Sequence, residues 1–147
     1  MTGISSITLT GGTSISAVET LSATGLTIGS ANSGTASIEL FKQSITSTRD
    51  LVHGYITTSV MDIPNTTDVV TIPMSGVANW SDFRPTTSIS TGAQFVTFLT
   101  RSGTADTEVV VAPASSSIGI FTTSGSNYTA ANDYQLRAFY IAWFLEA

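Results

Sequence analysis

Apolar residues in this chain come in short alternating runs, and each run is broken within about ten residues by Gly, Pro, Asn or Asp. Ile4-Ser5-Ser6-Ile7-Thr8-Leu9-Thr10 stops at Gly11-Gly12. Thr35 to Lys42 puts Ala36, Ile38 and Leu40 on one side. Gln94 to Thr100 sets Phe95, Thr97 and Leu99 against Val96 and Phe98. A period of two is the signature of a pleated strand with one buried face, and the breaks come too often for helices of ordinary length. The residue types agree. Thr, Val, Ile, Phe and Tyr fill the runs and suit a half-buried sheet, whereas strong helix formers other than Ala and Leu are scarce.

The segments read as strands are 4–10, 25–28, 35–42, 55–61, 68–74, 94–100, 108–112, 117–123 and 134–145, with 16–21 as a further candidate. Pro73 confines 68–74 to a sheet edge or a strand end. About eight to ten short antiparallel strands at this spacing predict an all-β fold, a sandwich or jelly roll. Helix is the alternative over Ser44 to His53, over Gly92 to Leu99, and over Tyr134 to Leu145 with its Ala138, Ala142 and Leu145. Residues 1–35 hold no aromatic side chain and are rich in Ser, Thr and Gly, so they form an opening segment or arm. Residues 36–147 carry the sandwich, and the whole reads as one continuous domain, 1–147.

Composition narrows the function. Charged residues are only 10% of the 147 and net charge is −5, while Ser and Thr together make up roughly a third. Lys42, Arg49, Arg84, Arg101 and Arg137 are scattered singly, which makes a poor phosphate ligand. No nucleic-acid partner and no attraction to anionic lipid are expected. The longest apolar stretch, Ala138 to Leu145, is too short for a membrane helix. There is no cysteine, which removes disulfides and thiolate chemistry. The N-terminus lacks a basic region followed by an apolar one, so no signal peptide is expected, and Met1 suggests a directly translated product.

The last segment is apolar on both sides. Leu136, Ala138, Tyr140, Ala142 and Phe144 alternate with Gln135, Arg137, Phe139, Ile141, Trp143 and Leu145. Two apolar faces mean either a central buried strand or a strand covered by a neighbouring subunit. The second reading makes Leu136, Phe139, Ile141, Trp143 and Leu145 an interface of a symmetric homo-oligomer.

No constellation announces a reaction. His53 is the single histidine, and no serine lies in a nucleophile elbow. Asp106-Thr107-Glu108 pairs two carboxylates without the calcium-loop pattern and reads as a solvated turn. Asp62 and Asp68 bracket the turn Pro64-Asn65-Thr66-Thr67. Gly11-Gly12-Thr13 lacks the lysine of a phosphate loop, and the sequons at Asn65, Asn79 and Asn127 are chance matches in so Ser/Thr-rich a chain. No catalytic residue, metal ligand or cofactor is assigned. Asn79-Trp80-Ser81-Asp82-Phe83-Arg84 is a polar-aromatic loop. Trp80, Asp82, Phe83 and Arg84 form either a binding tip or a plug closing one end of the sandwich. Tyr128 with Asn127 and Asn132 is a second such group.

A cysteine-free, nearly uncharged, Ser/Thr/Gly-rich all-β chain with an apolar final strand resembles the small accessory structural proteins of tailed-bacteriophage virions: capsid decoration (cement) proteins, head fibres and tail-fibre tips. Segments such as Ser6-Ile7-Thr8-Leu9-Thr10-Gly11-Gly12 and Gly25-Leu26-Thr27-Ile28-Gly29-Ser30 carry the likeness. The resemblance implies a non-enzymatic protein made in the host cytoplasm. It also implies a homo-oligomer, a trimer above all, on the outer surface of the virion, bound to partners such as the major capsid protein. A tail-fibre or receptor-binding tip that recognises host surface carbohydrate is the alternative.

Overall fold

A computed structural model describes residues 6–9, 13–16, 18–85, 95–101, 106–129 and 131–146. The described residues are almost wholly β, and every strand pairing is antiparallel. The strands are β1 (Ser6–Leu9), β2 (Thr13–Ser16), β3 (Glu19–Thr27), β4 (Thr35–Thr46), β5 (Arg49–Thr58), β6 (Met61–Ile63), β7 (Val69–Pro73), β8 (Phe95–Arg101), β9 (Thr107–Pro113), β10 (Ser117–Thr122), β11 (Ala131–Gln135) and β12 (Phe139–Glu146). A single short helix, α1 (Trp80–Phe83), lies between β7 and β8 among the described residues. β1 and β2 pair with each other. The other strands form a six-stranded sheet, β6-β11-β8-β9-β10-β7, and a four-stranded sheet, β12-β5-β4-β3.

The six-stranded sheet is nearly closed into a barrel. Its two edges, β6 and β7, are bridged by the connection between β3 and β4. Gly29 exchanges backbone hydrogen bonds with Thr71 on β7 (2.7 and 3.1 Å), and Asn32 N–H donates to the Asp62 carbonyl on β6 (2.8 Å). The Asp62 N–H donates in turn to the Ser33 carbonyl at 3.3 Å. A Cβ on Gly29 would stand 2.7 Å from Thr71 Oγ1, so a larger residue there would require the Thr71 side chain to turn away. Bridging in this way covers donors and acceptors that an open edge would present to other chains.

The two sheets share strands. β5 continues past Thr58 into β6, and β11 continues past Leu136 into β12, so one antiparallel pair belongs first to one sheet and then to the other. The corner is fastened by Thr58. Its N–H donates to the Leu136 carbonyl (2.8 Å), and its buried Oγ1 accepts from the Leu136 N–H (2.9 Å). Gln135 Nε2 adds a bond to the Thr58 carbonyl at 3.1 Å. Ala138, with φ of 23°, turns the chain into β12.

One apolar core runs through both layers. Met61, Ile63, Val70, Ile72, Val109, Val111, Ile118 and Ile120 point into the barrel, while Leu21, Ile38, Leu40, Val52, Ile56 and Ile141 line the inner face of the four-stranded sheet. Alternation placed most of these correctly: Ala36, Ile38 and Leu40 share the buried side of β4. Five expectations change. The helix alternative over Ser44 to His53 is replaced by the β4–β5 hairpin, because Leu51, His53 and Tyr55 alternate with Val52, Gly54 and Ile56. The strand expected over 55–61 divides at Ser59-Val60, and the one over 134–145 divides at Leu136 to Ala138. Residues 16–21 are not one strand, since β2 ends at Ser16 and β3 begins at Glu19. The helix alternative over Gly92 to Leu99 gives way to β8 from Phe95, with residues 92–94 outside the described set.

Tyr128 seals the barrel beside Tyr134, their rings 5.6 Å apart and edge-to-face. Its hydroxyl donates to the Ile120 carbonyl at 3.0 Å. Burial, then the neighbouring Tyr134 and Asp68, push its ionisation far above the ordinary tyrosine value. The unfolded chain therefore ionises at this position first, and stability present below about pH 10 is lost as pH rises above it. Thermal melts should fall steeply above about pH 10 for the native chain. Tyr128→Phe, less stable near neutrality for want of the hydrogen bond, should show the shallower alkaline decline; equal slopes would contradict this.

Candidate functional site

The outer face of the four-stranded sheet is built from the residues that alternate with the core. Strand register sets them in rows. One row runs Ser22, Glu39, Tyr55, Tyr140 across β3, β4, β5 and β12; the next runs Thr20, Phe41, His53, Ala142. Beyond it Gln43, Leu51 and Phe144 are in register. Tyr55 and Tyr140 remain 48% exposed and Phe144 55% exposed. The rings touch one another: Phe41 to His53 at 5.7 Å, His53 to Tyr140 at 5.9 Å, and Tyr55 to Tyr140 at 5.4 Å edge-to-face. Arg49 lies over the Phe144 ring at 5.3 Å. Cross-strand ring pairs of this kind stabilise the sheet by roughly 0.2–1 kcal/mol each. The ring faces left in water would each gain on the order of 1 kcal/mol on full burial.

The face has a second part, more apolar than polar in surface although most of its lining side chains carry a hydroxyl or carboxylate. A cavity of about 360 Å³ opens beside Tyr55, lined by Ser22, Thr24, Ser37, Glu39 and Thr57 and reaching the corner at Ala138. It lies where β3 bulges between Ala23 and Leu26, with Gly25 in the left-handed region. A bulge bends its strand and re-aims the flanking side chains.

The residues expected to form a subunit interface lie elsewhere. Leu136, Ile141 and Trp143 are buried in this chain's own core, and Phe139 and Leu145 pack against it. The turn at Ala138 resets the alternation, so Leu136 joins the inner side although a continuous strand would place it with Tyr140. β12 is an edge strand that pairs with β5. Its solvent-facing side carries Tyr140 and Phe144.

The polar-aromatic loop is helix α1 with its flanks. Trp80 and Phe83 are buried, while Asp82 and Arg84 are exposed. Trp80 Nε1 donates to the Ser115 carbonyl (3.0 Å), and the Phe83 carbonyl accepts from Trp143 Nε1 (2.8 Å). Lys42, ion-paired to Glu19 at 2.9 Å, lies over the Phe83 ring. Both aromatic residues of α1 are thus largely buried, and Trp80 lines the cavity beside the helix. A cavity of about 270 Å³ beside the helix is lined by Asn79, Ser81, Arg84 and the serines 75, 115 and 116. Tyr128 of the second polar-aromatic group is also a core residue, and the side chain of Asn132 lies outside the described set.

The remaining candidates are dispersed. His53 sits among rings on the sheet. Glu108 and Asp106 are exposed at the start of β9. Among the described residues no three His, Asp or Glu side chains are grouped to hold a metal ion, and no helix is long and apolar enough to cross a membrane. Neither Glu39 nor the exposed ring face stands out in the sequence. The one signal there is the shared parity of Tyr140 and Phe144, which a strand apolar on both sides leaves ambiguous. No family model, curated protein or solved structure matches the chain.

Proposed function

We propose that this chain is a non-enzymatic structural protein of a virion, bound to the outside of a phage capsid as a decoration protein through protein–protein contacts. One observation supports it above the others: a sheet face of exposed, mutually contacting rings on a chain with very few charges. Such a patch marks a surface that gains by being covered, and covering hydroxyls and rings avoids the desolvation cost that ions impose. The chain acts as a homo-oligomer, a trimer, with the ring-bearing end around Phe144, Leu51 and the exposed Ile45 meeting a second copy or the major capsid protein. The jelly-roll form of the sandwich is the finer part of this proposal, and it rests on strands passing between two antiparallel sheets at the Thr58–Leu136 corner.

Light scattering on the purified chain should give a mass near three times 15.3 kDa. Phe144→Asp should shift that mass toward the monomer while leaving the circular dichroism spectrum unchanged. A native chain that stays monomeric overturns self-association. Copy number in purified particles separates decoration, comparable with the shell subunits, from the alternative of a tail-fibre tip, present in few copies.

A further inference from the structure

We infer that the cavity beside Tyr55 and Glu39 on the outer sheet face is a binding site for a neutral saccharide. A sugar ring has an apolar C–H face and a rim of hydroxyls, each both donor and acceptor. Recognition needs an accessible flat ring for the first, and a carboxylate with hydroxyl-bearing neighbours for the second. All are present within one cavity. Tyr55 is half in solvent and is held from behind by Tyr140 at 5.4 Å, so its ring is braced before any ligand arrives. Glu39 is its direct cross-strand neighbour on β4. The Glu39 carboxylate has neither an ion pair nor a hydrogen bond among the described residues, so its oxygens are free to accept. Ser22, Thr24 and Ser37 add three hydroxyls to the wall, and Thr57 a fourth whose proton is already donated to the Leu136 carbonyl (3.2 Å). The volume, about 360 Å³, lies in the range of small-ligand sites.

The wall also selects between ligand classes. A lysine or arginine from a protein partner has donors only and would be served by several acceptors that do not donate. This cavity offers one carboxylate beside three hydroxyls that both donate and accept and one, on Thr57, left to accept, the mixture that suits a polyol. Glu39 is the sole carboxylate among the lining residues, whereas hydrolysis of a glycosidic bond ordinarily needs two. The site therefore binds without cleaving. Such binding is a property of the isolated chain and does not depend on the virion assignment.

The test is titration of the isotope-labelled full chain with neutral hexoses, N-acetylhexosamines and their di- and trisaccharides, followed by amide chemical shifts. The expected result is a saccharide that shifts the amides of Ser37, Glu39, Tyr55 and Thr57. Tyr55→Ala and Glu39→Gln should each weaken binding about tenfold. Val96→Ser, at an exposed position on β8, should leave it unchanged. No shifts from any of these sugars at millimolar concentration would overturn the inference, as would affinity unaltered in both Tyr55→Ala and Glu39→Gln. Shifts at the same amides from tetramethylammonium or an arginine peptide, with none from sugars, would overturn it in favour of a protein partner's cation. The native-chain map decides even where a variant folds poorly.

Discussion

Gly54→Val is expected to leave the chain unable to fold, and Gly54→Ala to cost about 3 kcal/mol or more. Gly54 lies in β5, between β4 and β12, with Leu40 and Ile141 as its register partners. A Cβ there would overlap the Glu39 carbonyl oxygen and stand 2.8 Å from the Leu40 Cα. Both obstacles are backbone in a paired strand, so no rotamer change relieves them. The strand must shift, and a shift breaks the β4–β5 ladder that carries the rings of the outer face. A domain's net stability is only about 5–15 kcal/mol, so even the alanine variant should lose a large share of it. Urea denaturation followed by circular dichroism measures the loss. Gly76→Ala is the control: a Cβ at that position would have nothing within 4 Å, and its stability should stay within about 0.5 kcal/mol of native. A Gly54→Ala chain as stable as Gly76→Ala would show that β4 and β5 are not so close.

Trp143→Ala should cost about 3–5 kcal/mol. The indole stands edge-to-face with Trp80 at 6.3 Å, and its Nε1–H is the donor to the Phe83 carbonyl. Two indoles and one carbonyl thus fasten α1 to the sheet, and Trp80 in turn ties the helix to Ser115 at the β9–β10 turn. Trp143→Phe keeps much of the packing and loses the donor, so it should cost about 1–3 kcal/mol, the penalty of an unpaired buried carbonyl. Denaturation midpoints of the two variants, with Trp80 fluorescence reporting the helix, give both quantities. Since Trp143 is only 5% exposed within a single chain, an acidic residue there should impair folding rather than merely separate subunits. A folded Trp143→Ala chain with native Trp80 fluorescence and a loss below about 1 kcal/mol would contradict this account.

Much of the fold was legible because one rule operates locally. Ala36, Ile38 and Leu40 alternate with Ser37 and Glu39, and they are buried as alternation requires. Pro73 ends β7, the last strand of its sheet, since proline has no N–H to give to a further neighbour. The site was less legible. Glu39 and Tyr55 are far apart in the chain and look like ordinary solvent-facing residues of two strands. Only their register makes them adjacent. α1 is hidden in the sequence because four residues are too few for a helical period to declare itself.

Strand character and, in strands apolar on one side only, the buried member of each alternating pair were set by the sequence alone, because side-chain direction in a strand depends on nothing beyond its nearest neighbours. Tertiary structure decided three further matters: which sheet each strand joins, how residues 29–33 bridge the edges of the barrel, and which side of Phe139–Glu146 meets water. Each depends on contacts between distant segments. Where both sides of a strand are apolar, as in that last one, period-two patterning carries no sign, and only the shape of the space available to Trp143 and Tyr140 selects the inward face.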